Sequence, residues 1–274
     1  MTCLWKSPRR ILGGSIASPG EFKFMVLIHN IPQDKTWCGG ALVSREHVLT
    51  AAHCIISWQL SDFKIKLGEH NLKEPETPDS ESFRITSWVK HESFNSGTYE
   101  NDVVVLTLDR EVNLDSHKWP ICIHDDEQEN LENVLGITVG WGSETSSSII
   151  TTIIIIKGYP PFLADGKSSA VLHKVDIPII SNKECSERFK KAGFPTVAAH
   201  VQGTSVQFCA GIKEGGKDTC NGDSGGPMVR QKGDTYELIG ITSAGIGCGR
   251  PNQAGIYTRV SFFAPWIKEH LTSS

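Results

Sequence analysis

Several features that mark other classes of protein are missing from this 274-residue sequence. No apolar stretch approaches the ~20 residues that a transmembrane helix needs, and no apolar segment of a secretory signal follows Met1. No Cys-x-x-Cys pair occurs, which argues against a cysteine-bound metal. The formal net charge is only −4, so composition gives no reason to expect nucleic acid or a membrane as a partner. N-glycosylation sequons, internal repeats and a separate second domain are also absent.

The sequence does contain eight cysteines, which in a chain of this type indicate an oxidising compartment. Their spacing alone does not select one set of disulfides. We expect a secreted, extracellular protein whose signal has already been removed.

Hydrophobic residues make up 39% of the chain, enough to form a substantial core. The apolar runs are short and alternate with polar residues and glycine, a pattern that predicts antiparallel sheet rather than helix. They include Met25–Ile28, Ile65–Leu67, Ile137–Val139 and Leu238–Ile241.

One serine is flanked by glycines in the segment Asp218–Pro227, which reads DTCNGDSGGP. The glycines let the backbone turn sharply and keep side chains away from the hydroxyl of Ser224. A carbonyl carbon can therefore approach that hydroxyl while backbone N–H groups point at the carbonyl oxygen. Taken alone, such a short motif is also compatible with a surface turn.

A serine hydroxyl needs a base to become a nucleophile, and the base needs an orienting group. His53 ends an apolar run and stands beside Cys54. Asp102 leads into the run Val103–Leu106, which is typical of a buried strand, where a carboxylate is costly unless it is paired. A lone histidine is more often a packing or surface residue, but the chain order His, Asp, Ser is one of the known orders of a catalytic triad.

With these segments the chain resembles the trypsin/chymotrypsin-type serine proteases from Ile11 to Leu271. The resemblance also rests on Trp37–Val43, Gly140–Gly142, Ser243–Gly245, Gly255–Val260 and a closing segment at Phe262–Leu271. It implies an all-β fold, with two six-stranded antiparallel β-barrels, the active site between them and a C-terminal helix.

The resemblance also implies a role for each site residue. His53 is expected to act as general base and then as acid, Asp102 to hold its tautomer, and Ser224 to form the acyl-enzyme. The oxyanion hole is expected to consist of the backbone N–H groups of Gly222 and Ser224. Ser243 matches the serine that also hydrogen-bonds the triad aspartate.

The family's disulfides match six cysteines here, which implies the pairs Cys38–Cys54, Cys185–Cys209 and Cys220–Cys248. Cys3 and Cys122 remain and would tether the N-terminal segment to the body of the protein. One common bridge of the family is missing, because Gly136 and Arg230 stand at its two ends.

The junction between Arg10 and Ile11 resembles the activation site of a zymogen. Residues 1–10 are then a short activation propeptide, cleaved by an upstream protease, and residues 11–274 are the protease domain. The new α-ammonium of Ile11 would pair with Asp223. The alternative is that Arg9 and Arg10 are only a solvated basic pair.

Substrate preference is expected to depend on Asp218, which resembles the floor of the pocket for the residue before the scissile bond, the P1 residue. A carboxylate there would select Arg or Lys in a protein substrate. Thr219, Ser243, Gly245 and Gly255 match other substrate-binding positions, the glycines leaving room for a long side chain. Alternatively, Asp218 is a surface carboxylate.

Ala244 replaces the family's usual tryptophan, which leaves the preference for substrate residues beyond P1 open.

Two further segments depart from the common pattern. Ser143–Gly166 forms an isoleucine-rich insertion, which we interpret as a structured insertion, a hydrophobic site for a partner subunit or substrate, or a poorly ordered loop. The acidic loop Glu69–Glu81 resembles a calcium loop, but we favour a solvated loop there and predict no other metal or cofactor.

The sequence as a whole predicts a secreted serine endopeptidase zymogen that cleaves after Arg or Lys in a clotting or immune-defence cascade. Two alternatives remain open, namely a digestive trypsin of broad specificity and a protease-like binding scaffold without catalysis.

Overall fold

The computed structural model describes residues 14–74, 80–142, 169–216 and 222–272. These residues form two β-sheets, three α-helices and two short 3₁₀ turns. The first sheet contains β2 (Met25–Asn30), β3 (Lys35–Leu42), β4 (His47–Thr50), β5 (Phe63–Leu67), β6 (Glu81–Phe83), β7 (Ile85–Lys90) and β8 (Val104–Leu108). The second contains β1 (Ser15–Ile16), β9 (Cys122–Ile123), β10 (Leu135–Gly140), β11 (His173–Ile180), β12 (Gln207–Ala210), β13 (Pro227–Lys232), β14 (Thr235–Ala244) and β15 (Gly255–Arg259).

The first sheet is antiparallel, in the order β6-β5-β2-β3-β4-β8-β7, and it curls into a half-barrel. Its strands follow the predicted alternation. In β5, for example, Phe63, Ile65 and Leu67 are buried and the two lysines between them are partly exposed. Because successive side chains of a strand point to opposite faces, this period of two places one row of apolar residues inside the curled sheet.

The second sheet closes on itself. Its order is β1-β11-β10-β13-β14-β15-β12, and a further pairing of β11 with β12 completes a six-stranded barrel. The only parallel pairing among the described strands joins β9 to β14, with Cys122 opposite Glu237. Closure leaves none of the six barrel strands as a free edge.

The predicted all-β fold is confirmed, with one closed barrel, one curled half-barrel and a C-terminal helix, α3 (Val260–His270). Two other helices, α1 (Asn182–Lys191) and α2 (Pro195–Gly203), lie between β11 and β12 and were not predicted. The hydroxyl of Ser181 caps α1 by accepting a hydrogen bond from Glu184 N. No described helix has the length and apolar character to cross a membrane.

Two disulfides join described cysteines, Cys38 to Cys54 and Cys185 to Cys209. Cys122 and Cys248 are also disulfide-bonded. Cys3 and Cys220, their expected partners, lie outside the described residues, so these two pairings stay predictions.

Candidate active site

Asp102 is fully buried, and its carboxylate is surrounded by hydrogen-bond donors. Oδ1 accepts from the backbone N–H of His53 at 2.9 Å, and Oδ2 lies 2.7 Å from His53 Nδ1. Ser243 Oγ donates to Oδ2 at 2.6 Å. Because a carboxylate oxygen only accepts, this arrangement puts the proton of the neutral imidazole on Nδ1 and leaves Nε2 as the basic nitrogen.

Strand register explains why His53 and Asp102 meet although they are 49 residues apart. The end of β4 pairs with the start of β8, with Thr50 opposite Val104. His53 follows β4 in the 3₁₀ turn Ala52–Cys54, and Asp102 immediately precedes the buried run that becomes β8. The antiparallel pairing therefore brings the two side chains to the same end of the half-barrel.

The second barrel also holds the segment that carries Asp102. Ser243, the next-to-last residue of β14, donates to the carboxylate, while Thr258 Oγ1 of β15 donates to the Asp102 carbonyl at 3.0 Å. Asp102 thus lies between the two sheets and is bonded to both of them.

The loop of Ser224 is pressed against the half-barrel. The Ser224 carbonyl accepts from Gly39 N at 2.8 Å, and Gly225 has a left-handed φ of +73°. A Cβ at position 225 would collide with Thr50 Oγ1 and lie 3.1 Å from Cys54 Sγ, so only glycine fits there. The residue after Ser224 therefore packs against the residue after His53, which brings the predicted nucleophile and base to the same place.

The Cys38–Cys54 disulfide borders the imidazole, with Cys54 Sγ 3.8 Å from His53 Nε2. Among the described residues, Cys38, His53 and Cys54 are the one group whose potential metal ligands cluster this closely. Both sulfurs are consumed by the disulfide, so the group offers no thiolate to a metal.

Asp223 lies in a cradle formed by the Gly-Trp-Gly segment. Its Oδ1 accepts from Gly142 N at 2.8 Å. A Cβ at Gly140 or at Gly142 would collide with the Asp223 carboxylate, so both positions must lack a side chain. The roles of these two glycines were not predicted, and the carboxylate's expected partner, Ile11, lies outside the described residues together with Arg10.

Gly222, the predicted oxyanion residue, has a φ of +100°. Few residues other than glycine adopt this conformation, and a Cβ there would lie 3.2 Å from Gly142 Cα. The turn that presents the Ser224 backbone thus depends on a glycine on each side of the Asp223–Ser224 pair.

This geometry is accompanied by a match over nearly the whole chain. The family model described as Trypsin matches residues 11–267. The chain belongs to the trypsin family. It is a trypsin-like serine protease related to the proteases of clotting cascades.

Three curated relatives give the extent of that similarity. The proclotting enzyme of Tachypleus tridentatus is 35% identical over 275 residues, which cover 96% of this chain and 66% of the relative. Coagulation factor IX of Cavia porcellus is 33% identical over 264 residues, covering 94% and 80%. The clotting factor G beta subunit of Tachypleus tridentatus is 28% identical over 268 residues, covering 95% and 79%. This trypsin-family chain therefore spans slightly less than two thirds of the proclotting enzyme and about four fifths of the other two.

The predicted substrate pocket of this trypsin-family protein is described in part. Asp218 and Thr219 lie outside the described residues. Gly245 is exposed, and a Cβ there would meet only the Gly247 carbonyl oxygen, at 3.8 Å. Gly255 is buried, and a Cβ there would lie 2.8 Å from the Tyr257 hydroxyl. The structure therefore shows open space at one predicted wall glycine and close packing at the other.

Two residues beside the site were not predicted. The ring of Tyr99 stands in a T-shaped arrangement against the His53 ring, with centroids 5.3 Å apart. Burial raises the pKa of the Tyr99 phenol, and the charge of Asp102 raises it further. The side chain of Gln207, in β12, donates to the Tyr99 carbonyl at 2.7 Å. The one feature of the sequence that could have placed Tyr99 near the site was its position three residues before Asp102.

In the predicted calcium loop, the described carboxylates contact protein groups. Glu69 Oε1 accepts from Lys66 Nζ at 3.3 Å and from Ser80 Oγ at 2.8 Å. Glu81 Oε1 accepts from Arg110 at 3.0 Å. Residues 75–79 lie outside the described part of the chain, as does the Ser143–Gly166 insertion, so calcium binding and a partner site there stay predictions.

Proposed function

We propose that this protein is a secreted serine endopeptidase, made as a zymogen, that cleaves after Arg or Lys in a clotting or immune-defence cascade. The observation that carries the proposal is the buried network in which Asp102 binds both His53 and Ser243, next to the glycine-bounded loop of Ser224. The relatives named as clotting proteases support the cascade role over a digestive one. The disulfides support secretion.

Catalysis follows from the orientation of the imidazole. With Nδ1 donating to Asp102, His53 Nε2 accepts the proton of Ser224 as Oγ attacks the scissile carbonyl, and it then returns the proton to the leaving amine. Asp102 stabilises the imidazolium that forms between these steps. The backbone N–H groups of Gly222 and Ser224 would receive the developing oxyanion, and each such donor lowers the barrier by about 3 kcal/mol in comparable sites.

Activation would occur by cleavage between Arg10 and Ile11. The family match begins at residue 11, and the Asp223 carboxylate already lies against Gly142 N, two residues from Gly140. An α-ammonium at Ile11 would pair with Asp223 and thereby hold the Gly222–Ser224 turn in place. Residues 1–10 would stay attached through Cys3 and Cys122, the latter of which is disulfide-bonded.

Selection of Arg or Lys at P1 would depend on Asp218. A guanidinium can bind a carboxylate with two hydrogen bonds, whereas an apolar P1 group would leave the carboxylate unpaired. The open space at Gly245 is compatible with a long side chain.

The proposal is tested by treating the purified chain with trace trypsin and assaying it against fluorogenic peptides with Arg, Lys, Phe or Ala at P1. Activity confined to Arg and Lys, which starts when Ile11 becomes the N-terminus and is absent from Ser224→Ala, would support the zymogen, the catalytic role of Ser224 and the Arg/Lys preference. If no peptide is hydrolysed after Ile11 has become the N-terminus, the result would contradict the proposed enzymatic function and favour a binding scaffold. Cleavage after Phe would contradict the role of Asp218.

A further inference from the structure

Three side chains of the closed barrel reach across the cleft to the segment Tyr99–Asp102. Ser243 of β14 and Thr258 of β15 bind Asp102, and Gln207 of β12 binds the Tyr99 carbonyl. The three strands are neighbours, and Gln207 stands directly opposite Thr258 in the sheet. Hydrogen bonds from one face of the barrel therefore hold both ends of this segment.

Gln207 is only 1% exposed, and both ends of its side-chain amide have a partner. Nε2 lies 2.7 Å from the Tyr99 carbonyl oxygen, and Oε1 lies 2.9 Å from His200 Nε2. Since a carbonyl oxygen can only accept, the NH₂ group faces Tyr99, and His200 must donate from Nε2 to the remaining oxygen. The Tyr99 carbonyl thus orients the Gln207 amide, and His200, on α2, holds the oxygen end of that amide.

Tyr99 is held in an unusual backbone conformation. Its φ is +57°, in the left-handed region that non-glycine residues rarely adopt, and Asn101 has a φ of +56°. Such conformations persist where surrounding contacts determine them. The Gln207 bond to the Tyr99 carbonyl is one such contact, and the ring of the same residue lies against His53.

We infer that Gln207 is a positioning residue for His53, acting through the Tyr99 backbone and ring, with His200 holding its amide oxygen. The Tyr99 ring limits rotation of the imidazole about its bonds, which keeps Nδ1 on Asp102 and leaves Nε2 to accept and return the proton. This inference rests on the proposed protease activity. Under this inference, loss of the Gln207 contact should slow the chemical step and change the affinity for substrate little.

The first test is kinetic and uses Gln207→Met, which keeps the size of the side chain and removes both hydrogen bonds. We expect kcat on an Arg peptide to fall about 10- to 100-fold, as for other small misplacements of catalytic groups, with KM within about twofold of the parent. Acylation by a small active-site titrant, 4-nitrophenyl 4-guanidinobenzoate, should slow by the same factor. Gln231→Met is the matched control, because Gln231 also donates to a backbone carbonyl but is exposed.

The second test uses His200 and does not depend on the folding of the Gln207 variant. His200→Leu removes the donor to Gln207 Oε1 and should lower kcat, whereas His200→Gln keeps an amide donor at a similar reach and should restore most of it. Parent-like kcat in both Gln207→Met and His200→Leu would overturn the inference. An increase in KM at unchanged kcat would overturn it too, because it would indicate a contact with substrate.

A third measurement separates this inference from the proposed function. The proton on His53 Nδ1 gives a downfield-shifted NMR resonance that can be observed whether or not the protein cleaves peptides. We expect this proton to exchange faster with water in Gln207→Met than in the parent and in Gln231→Met. An inactive parent with slow exchange that Gln207→Met accelerates would contradict the protease and keep the positioning role. Equal exchange in all three would overturn the positioning role alone.

Discussion

Arg230 donates to both carboxylate oxygens of Glu129, at 2.6 Å each, although 101 residues separate them. The Arg230 side chain is 7% exposed, and it also binds Glu237 and approaches His124.

The register of β10 and β13 places Gly136 opposite Arg230, where the family's bridge is missing. A Cβ at Gly136 would lie 2.6 Å from Met228 Sδ, so a side chain there would require Met228 to move. An ion-pair cluster occupies the region instead.

This cluster predicts a stability that depends on pH. The hydrogen bonds from Arg230 lower the pKa of Glu129 from 4.5 to about 2. Because the folded-state pKa is the lower one, the ionised pair stabilises the protein fully above the unfolded value and loses this contribution as the pH falls from about 4.5 towards 2. Glu129→Gln should cost about 1–2 kcal/mol at neutral pH, a reduced figure because Glu129 is 38% exposed and partly screened by water.

Urea unfolding of the parent and Glu129→Gln at several pH values checks this prediction. The difference in the free energy of unfolding should shrink as the pH falls below about 4.5. Glu132→Gln, at an exposed site three residues away, is the control and should behave like the parent at every pH. A difference between parent and Glu129→Gln that is independent of pH would contradict the assigned role of the ion pair.

Ser243→Ala should weaken both catalysis and the fold. It removes a 2.6 Å hydrogen bond from a fully buried carboxylate, and such charge-assisted bonds contribute about 1.5–3 kcal/mol. We expect kcat/KM to fall by about tenfold or more, and the free energy of unfolding to fall as well. Ser87→Ala, on the exposed side of β7, is the control. Unchanged kcat/KM in Ser243→Ala would show that Asp102 does not need this donor.

Gly142→Ala should produce a protein that is cleaved normally after Arg10 but stays inactive. The added methyl group would collide with the Asp223 carboxylate and displace the turn that presents Gly222 and Ser224. Peptide hydrolysis and N-terminal sequencing after trace trypsin treatment measure the two events separately. Gly203→Ala is the control, since a Cβ there meets nothing within 4 Å. Full activity of Gly142→Ala would mean that the position of Asp223 is not critical.

Asp218→Ser should change specificity rather than abolish chemistry. Loss of the carboxylate removes the partner of an Arg or Lys side chain, and sites built for such a group discriminate by about 10⁴-fold. We therefore expect kcat/KM for an Arg peptide to fall by a factor of that order, while hydrolysis of an apolar P1 peptide is kept or increased. An equal loss on both peptides would indicate a damaged site, and an unchanged Arg rate would place P1 recognition elsewhere.

The fold prediction succeeded where the signal is periodic along one strand. The alternation in β5 and the β-branched run of β8 are local properties, and both segments are strands. The helices α1 and α2 were not predicted. α2 is nine residues long, and its start is marked by Pro195 but by no side-chain cap, so the local helical signal is short. Packing against its neighbour α1 supports it.

The sequence alone determined the family of this protein and predicted the residues of its chemistry. A serine bounded by glycines, a histidine before a cysteine and an aspartate before a buried strand are each local patterns, because backbone conformation and the cost of burying a charge act within a few residues. Tertiary structure decided the geometry around them. The pairing of β4 with β8 sets the His53–Asp102 contact, and barrel closure places Gln207 on the Tyr99 carbonyl across 108 residues. Such contacts depend on the register between distant strands, and no local pattern in the sequence records that register.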